Sequence, residues 1–319
     1  MNEWQKIVGH EWAVEVLQAA IKHKRVGHAY LITGPSQVGK GSLARTLAQA
    51  LNCTAGAPAE RPCGHCRSCM LIAAGRHPDV KNVTGESSGR GKVTLKIDQI
   101  RQLQSELNLT AAEARIKVAV VDGFEAANQS AANAFLKTLE EPPGDVVLIL
   151  TATAADTLLP TITSRCRVIS LRPLKAESIE SALIERWDVE PAQARILAHL
   201  ADGRLGLAVT LAQNPALLDE RAAHMELLHE IFGLTRVDRF AAAERLARQP
   251  EELPDLLRLW LGYWRDLALI ATAGPEAEAI SNVDQLDSLH AHARTWSAET
   301  ILSGLRHAER ALWQLERNA

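Results

Sequence analysis

Apolar and polar positions alternate in blocks along the first half of the chain. HAYLITGP (28–35) is a short apolar run ending on a glycine turn. Beyond it Leu43, Leu47 and Leu51 recur every fourth residue, one face of a helix. The predicted order is strand, glycine-rich loop, helix. IKVAVVDG (116–123), DVVLILTAT (145–153) and RVISLRPL (167–174) are three further strands of buried type. Helical patterns over 99–107 and 129–141 separate them, the second stopped by Pro142-Pro143. Such alternation predicts an α/β domain, a parallel sheet flanked by helices on both faces.

After Pro173 the strand patterns end. AESIESALIERW and EPAQARILAHLADGRLGLAVTLAQ predict short helices punctuated at Gly203 and Gly206, and from about residue 214 the pattern is helical to the end. Trp260, Tyr263, Trp264 and Leu267 fall at i, i+3, i+4 and i+7. A stripe of this kind is either the core of a helix bundle or a partner surface, and spacing leaves both open. The predicted domains are 1–172, 173–212 and 213–319.

Composition narrows the function classes. The 319 residues suffice for two or three cores, and a formal net charge of −3 gives no global pull towards nucleic acid. LLRLWLGYWRDLALI is interrupted by Arg258, Arg265 and Asp266, so no membrane span is predicted. MNEWQKIVGHEW lacks the apolar core of a signal peptide, and a cytoplasmic protein is expected.

The glycine-rich loop carries the first candidate chemistry. A P-loop surrounds phosphates with backbone N–H groups and a helix N-terminus, while its Lys reaches the outer phosphates and the next hydroxyl holds Mg²⁺. In GPSQVGKGS, Gly34, Gly39 and Lys40 occupy their places, but Gly41 stands at the hydroxyl position. Ser42 comes one residue late, turned about 100° away on a helix. Asp122 ends the second strand, where a Mg²⁺-binding Asp belongs, yet Gly123 follows it and Glu125 lies further on. With Thr153 at the end of the third strand, these residues form a degenerate nucleotide site. It keeps a P-loop fold, holds ATP and Mg²⁺ poorly and is not expected to hydrolyse ATP. The plain alternative is a sharp strand-to-helix turn.

Four of the five cysteines, Cys53, Cys63, Cys66 and Cys69, fall within 17 residues, and Cys166 lies far away. In a reducing compartment such clustering argues for metal over disulfides. Four thiolates at these spacings suit tetrahedral Zn²⁺ with no open position, a structural site, against the alternative of free or redox cysteines. TITSRCRV (161–168) places Arg165 before a strand, either an ordinary surface charge or an arginine finger for a neighbour's γ-phosphate.

NAFLKTLEEPPGDVVLILTATAADTLLPTITSRCRVI, HAYLITGPSQVGKGSLARTLAQALNC and the four-cysteine insert together resemble the bacterial clamp-loader ATPase-like subunits of the AAA+ superfamily. The likeness is specific over 1 to about 210 and looser beyond. It implies an AAA+ P-loop domain with an embedded zinc module at about 53–69, a small helical lid and an all-α collar. It also implies a hetero-pentamer with gamma/tau and delta subunits, which places a sliding clamp (beta) on primer–template DNA, with no membrane partner. Motor members of the family carry Thr or Ser at the place of Gly41 and Asp-Glu at Asp122-Gly123. They also carry an Arg sensor, in a Gly-Ser-x-Arg context, at the place of Gly206, although Arg204 is close. Ser164-Arg165-Cys166 is intact. The resemblance thus implies a non-hydrolysing stator whose Arg165 acts in trans on a neighbouring gamma/tau site. It would have no independent catalysis, although it is part of a DNA-directed DNA polymerase (nucleotidyltransferase) holoenzyme. The competing expectations are an active gamma/tau-like motor and a zinc-dependent nucleic-acid-binding module.

Overall fold

Among the described residues, seven strands run through the first part of the chain: β1 Ala29–Thr33, β2 Val80–Thr84, β3 Glu86–Ser87, β4 Val93–Thr94, β5 Lys117–Asp122, β6 Val146–Ala152 and β7 Arg167–Ser170. This computed structural model describes residues 2–55, 57–87, 93–274, 277 and 279–318. Strands β2-β5-β6-β1-β7, in that order, form one sheet whose neighbours all pair in parallel, and β3 and β4 form a separate antiparallel pair.

The pleat sends alternate side chains to opposite faces, so each strand feeds two cores. Tyr30, Ile32, Val118, Val120, Val147 and Ile149 pack on one face. There they meet Leu17 of the helix Glu11–Lys22 and Leu43, Leu47 and Leu51 of the helix Lys40–Asn52. Leu31, Ala119, Val121, Leu148 and Leu150 pack on the other face. Their partners are Ile100, Leu103 and Leu107 of the helix Ile97–Asn108 and Phe135 and Leu139 of the helix Gln129–Glu140.

The four strands predicted from sequence are all present, and β2 is an addition to them. Of its five residues only Val80 is buried, because it lies at the sheet edge and meets β5 alone. The polar residues of DVKNVT hide it from a search for apolar runs. Gly206, expected to break a helix, lies inside the helix Leu205–Gln213.

Polar side chains fasten the end of the sheet at which the strands begin. The Asn52 side chain accepts from the Arg115 and Ile116 amides at 3.1 and 3.2 Å and donates to the Ile116 carbonyl at 2.9 Å. The Lys117 ammonium, on a buried residue, donates to the Glu106, Leu107 and Leu109 carbonyls at 2.6, 3.2 and 2.6 Å. A cation there satisfies the unpaired carbonyls at the end of the helix Ile97–Asn108 and offsets its dipole. Asp79 accepts the Ala112, Glu113 and Ala114 amides at 2.8–2.9 Å.

The chain forms two compact units, Met1–Leu174 with Arg204–Gly206, and Lys175–Gly203 with Leu207–Ala319. The second is helical. Tyr263 and Leu267 are fully buried, and Trp260 and Trp264 pack against the same core with Phe232 and Trp296. The aromatic stripe is therefore core. Asp266 is fully buried beneath it, accepting from the Ser281 and Asn282 amides at 3.1 and 2.7 Å and from the Arg265 guanidinium at 3.1 Å. Among the described residues no helix is long and apolar enough to cross a membrane.

Candidate functional site

The glycine loop follows β1 at the end where the sheet's strands finish. Gly34 leaves the strand with φ +144°, and a Cβ there would lie 2.6 Å from the Leu171 carbonyl, so only glycine passes. Its N–H donates to the Ala152 and Thr153 carbonyls at 3.2 and 3.1 Å, which places Thr153 beside the loop. Gly39 caps the helix Lys40–Asn52. Gly41 and Ser42 are exposed in its first turn.

The charged groups of this loop are bonded within the chain. Lys40 Nζ donates to the Gly34 and Pro35 carbonyls at 2.6 and 2.8 Å. Burial pulls its pKa below the ordinary lysine value, and Glu125 and Asp122 nearby oppose that shift. Asp122 accepts the Thr151 hydroxyl, which in turn accepts the Gly123 N–H at 3.0 Å. Glu125 Oε1 accepts the Thr153 N–H at 3.1 Å. Gly41 and Asp122 line one groove, and neither position 41 nor position 123 carries a side chain that could ligate Mg²⁺ or orient water. Gly206, which groups with this unit, donates its N–H to the Gln37 carbonyl at 2.8 Å.

Two supporting residues escaped the sequence reading. Thr151 is fully buried, the one hydroxyl within the apolar strand VVLILTA, and that interruption was its signal. His10 is buried with Nε2 3.2 Å from the Val38 carbonyl, tying the start of the helix Glu11–Lys22 to the loop. Burial lowers its pKa, the Val38 bond and Glu11 opposing, and favours the neutral ring. A lone His before a helix gave no sign of this.

The four cysteines come together. All four Sγ atoms lie within 4.8 Å of one another, against about 3.8 Å between sulfurs bound tetrahedrally at about 2.3 Å to one Zn²⁺. The backbone is folded to serve sulfur: Cys53 Sγ accepts the Ala55 and Cys63 amides at 3.4 Å, and Cys63 Sγ accepts the Cys66 amide at 3.3 Å. Cys66 Sγ accepts the Cys69 amide at 3.5 Å and caps the helix Arg67–Ala73. Burial raises the Cys66 thiol, but hydrogen bonds from Thr54 and Cys69 outweigh it and bring the pKa to about 6. Burial pushes the Cys53 and Cys69 thiols up. Gln49 Nε2 donates to the Cys69 carbonyl and Trp4 Nε1 to the Arg61 carbonyl, both at 2.9 Å, which moors the cluster to the domain. These residues can hold a metal ion.

Arg165 stands apart from both groups. It follows the short helix Pro160–Thr163, precedes β7 and is about one-third exposed. Its guanidinium donates to the Thr161 carbonyl at 2.9 Å and pairs with Glu140 at 2.7 Å. Burial raises the neighbouring Cys166 thiol to about 11, so that sulfur stays protonated at neutral pH.

A family model described as "DNA polymerase III, delta subunit" matches residues 9–175, just over half of the chain. DNA polymerase III subunit delta' of Pseudomonas aeruginosa is 44% identical over 239 residues, 74% of this chain and 70% of that protein. Subunit delta' of Bacillus subtilis is 35% identical over 236 residues, 73% of this chain and 68% of that protein. Subunit tau of Bacillus subtilis is 28% identical over 307 residues, 90% of this chain but 53% of that longer protein.

Proposed function

The chain belongs to the DNA polymerase III delta-prime family, and on that premise we propose that it is a non-hydrolysing clamp-loader subunit lending Arg165 to a neighbour's ATP site. The observation that carries this reading is a distance along the sheet. β1 and β7 are parallel, with Tyr30 opposite Arg167 and Thr33 opposite Ser170. Arg167 is level with Tyr30, four residues short of Gly34 or about 13 Å at roughly 3.3 Å per residue, and Arg165 lies in the turn before it. An arginine side chain does not span that gap. Arg165 is thus remote from the chain's own loop, which supports a phosphate held by another subunit as its target.

The loop supports the same reading. It keeps the strand, turn and helix but lacks the metal-holding hydroxyl and a side chain next to Asp122. Its Lys40 and Asp122 are bonded to their own chain. A nucleotide there would be held by the loop amides and Lys40 without a well-held Mg²⁺. The division into AAA+ domain (1–172), helical lid (173–212) and collar (213–319) belongs to this proposal. So does structural Zn²⁺ on Cys53, Cys63, Cys66 and Cys69. The assembly partners are gamma/tau and delta subunits, the beta clamp and primed DNA.

The test is Arg165→Ala in a loader rebuilt with its sister subunits. ATP turnover at the neighbouring site, stimulated by clamp and DNA, should fall by about 10³-fold or more, as for other trans-acting arginines, while the subunits still co-elute. Undiminished turnover refutes the proposal. Turnover of Mg²⁺-ATP by the isolated chain would favour the gamma/tau-like motor instead.

A further inference from the structure

The Arg165 guanidinium is gripped at two points inside this chain, by the Glu140 carboxylate at 2.7 Å and the Thr161 carbonyl at 2.9 Å. Glu140 is the last residue of the helix Gln129–Glu140, followed by Glu141 and two prolines. A helix ends in the negative pole of its dipole, so a carboxylate in its last turn opposes the helix that carries it. The pair is about one-third to one-half exposed, and exposed ion pairs contribute little to folding. Helix stability and fold stability thus give Glu140 little reason to stand there. Orientation of the guanidinium gives it one. Arginine offers five N–H donors, and two engaged donors leave three for an anion.

We propose that Glu140 is a positioning residue: with the Thr161 carbonyl it fixes the Arg165 fork before a neighbour's phosphate arrives. This rests on the reading of Arg165 as a trans-acting finger. Ordering an arginine side chain that is otherwise free costs about ten- to thirty-fold in rate if the whole cost falls on the transition state. With Thr161 still holding one end, Glu140→Gln forfeits part of that, about three- to ten-fold in kcat.

The experiment uses the rebuilt loader with Glu140→Gln, Glu140→Asp, Arg165→Ala and the Glu140→Gln/Arg165→Ala pair. Turnover is measured against ATP concentration, and the melting of each variant chain is followed by circular dichroism. Glu140→Gln should lower kcat with KM for ATP within about two-fold of the unaltered loader, since the residue does not touch nucleotide. Glu140→Asp, which keeps the charge, should recover part of the loss, and it decides the matter if the Gln variant melts early. The double variant should turn over no more slowly than Arg165→Ala alone, because Glu140 acts through that side chain. If Arg165→Ala leaves turnover normal, the finger reading itself fails. If Arg165→Ala abolishes turnover while Glu140→Gln matches or exceeds the unaltered loader, the positioning role alone is overturned. A further loss in the double variant overturns it too.

Discussion

The two ends of one parallel sheet are furnished differently. Where the strands finish, at the glycine loop, Lys40 is bonded to Gly34 and Pro35, Asp122 to Thr151 and Glu125 to Thr153. Where they begin, Asn52 and Lys117 tie helix ends to strand starts, and Arg165 stands about one-third exposed on a two-point mount. A strand-to-helix turn is needed for the fold whether or not it handles phosphate. A partly exposed arginine at the other end has no comparable architectural duty. Sheet polarity thus separates what preserves the fold from what we propose acts on a neighbour.

The sharpest break of this comparison is Arg165→Ala, with its expected loss of about 10³-fold in the neighbour's turnover. Next comes metal removal, which acts on the module that leaves the helix Lys40–Asn52 at Cys53. Protein purified without chelator should carry about one zinc per chain by elemental analysis. Stripping it, or making Cys69→Ser, should unfold the helix Arg67–Ala73 and open it to protease, since structural zinc sites bind by about 10 kcal/mol or more. Metal-free protein with an intact module would remove zinc from the account.

A gain of function probes the other end. A Cβ at Gly41 meets nothing within 4 Å, and Gly41 shares a groove with Asp122. Gly41→Thr should therefore give ATP binding that tightens roughly ten-fold with Mg²⁺, measured by fluorescence titration. Adding Gly123→Glu is less favourable, because residue 123 has φ +63°, a left-handed conformation costing about 1–2 kcal/mol for a side chain. If Gly41→Thr binds no better with Mg²⁺, something besides the missing hydroxyl disables this end.

The smallest effect lies in the helical unit and serves as a reference for both ends. His229 and His292 sit in the aromatic core with Phe232, Tyr263 and Trp296, and burial lowers the pKa of both. A lowered folded pKa means that below about pH 6.5 the unfolded chain takes up protons more readily. Stability from the neutral rings is present above that pH and lost below it. Between pH 7.5 and 5.5 the melting of this unit, followed by tryptophan fluorescence, should fall by roughly 2–5 °C. No fall would mean that the rings titrate freely.

Much of the fold was legible in the sequence, because buried strands are unbroken apolar runs and helices repeat every three to four residues. Strand β2 was not, since its residues 79–84 are interrupted by Asp79, Lys81 and Asn82 and form no apolar run. The cysteine cluster was legible because its spacing is short, so local turns alone bring the thiols together. The bonds of Lys40, Asp122 and Arg165 were not, because their partners are carbonyls and side chains placed by other elements.

By itself the sequence determined the inventory: a glycine where a metal-binding hydroxyl belongs, a glycine after Asp122, four clustered thiols and an arginine before the last strand. These are identities, fixed before any folding. The tertiary structure alone decided where they stand. Parallel pairing of β1 with β7 puts Gly34 and Arg165 at opposite ends of the sheet, and packing brings Glu140 to Arg165 and Thr151 to Asp122. Distances between residues remote in sequence follow from strand direction and register, which no local pattern contains.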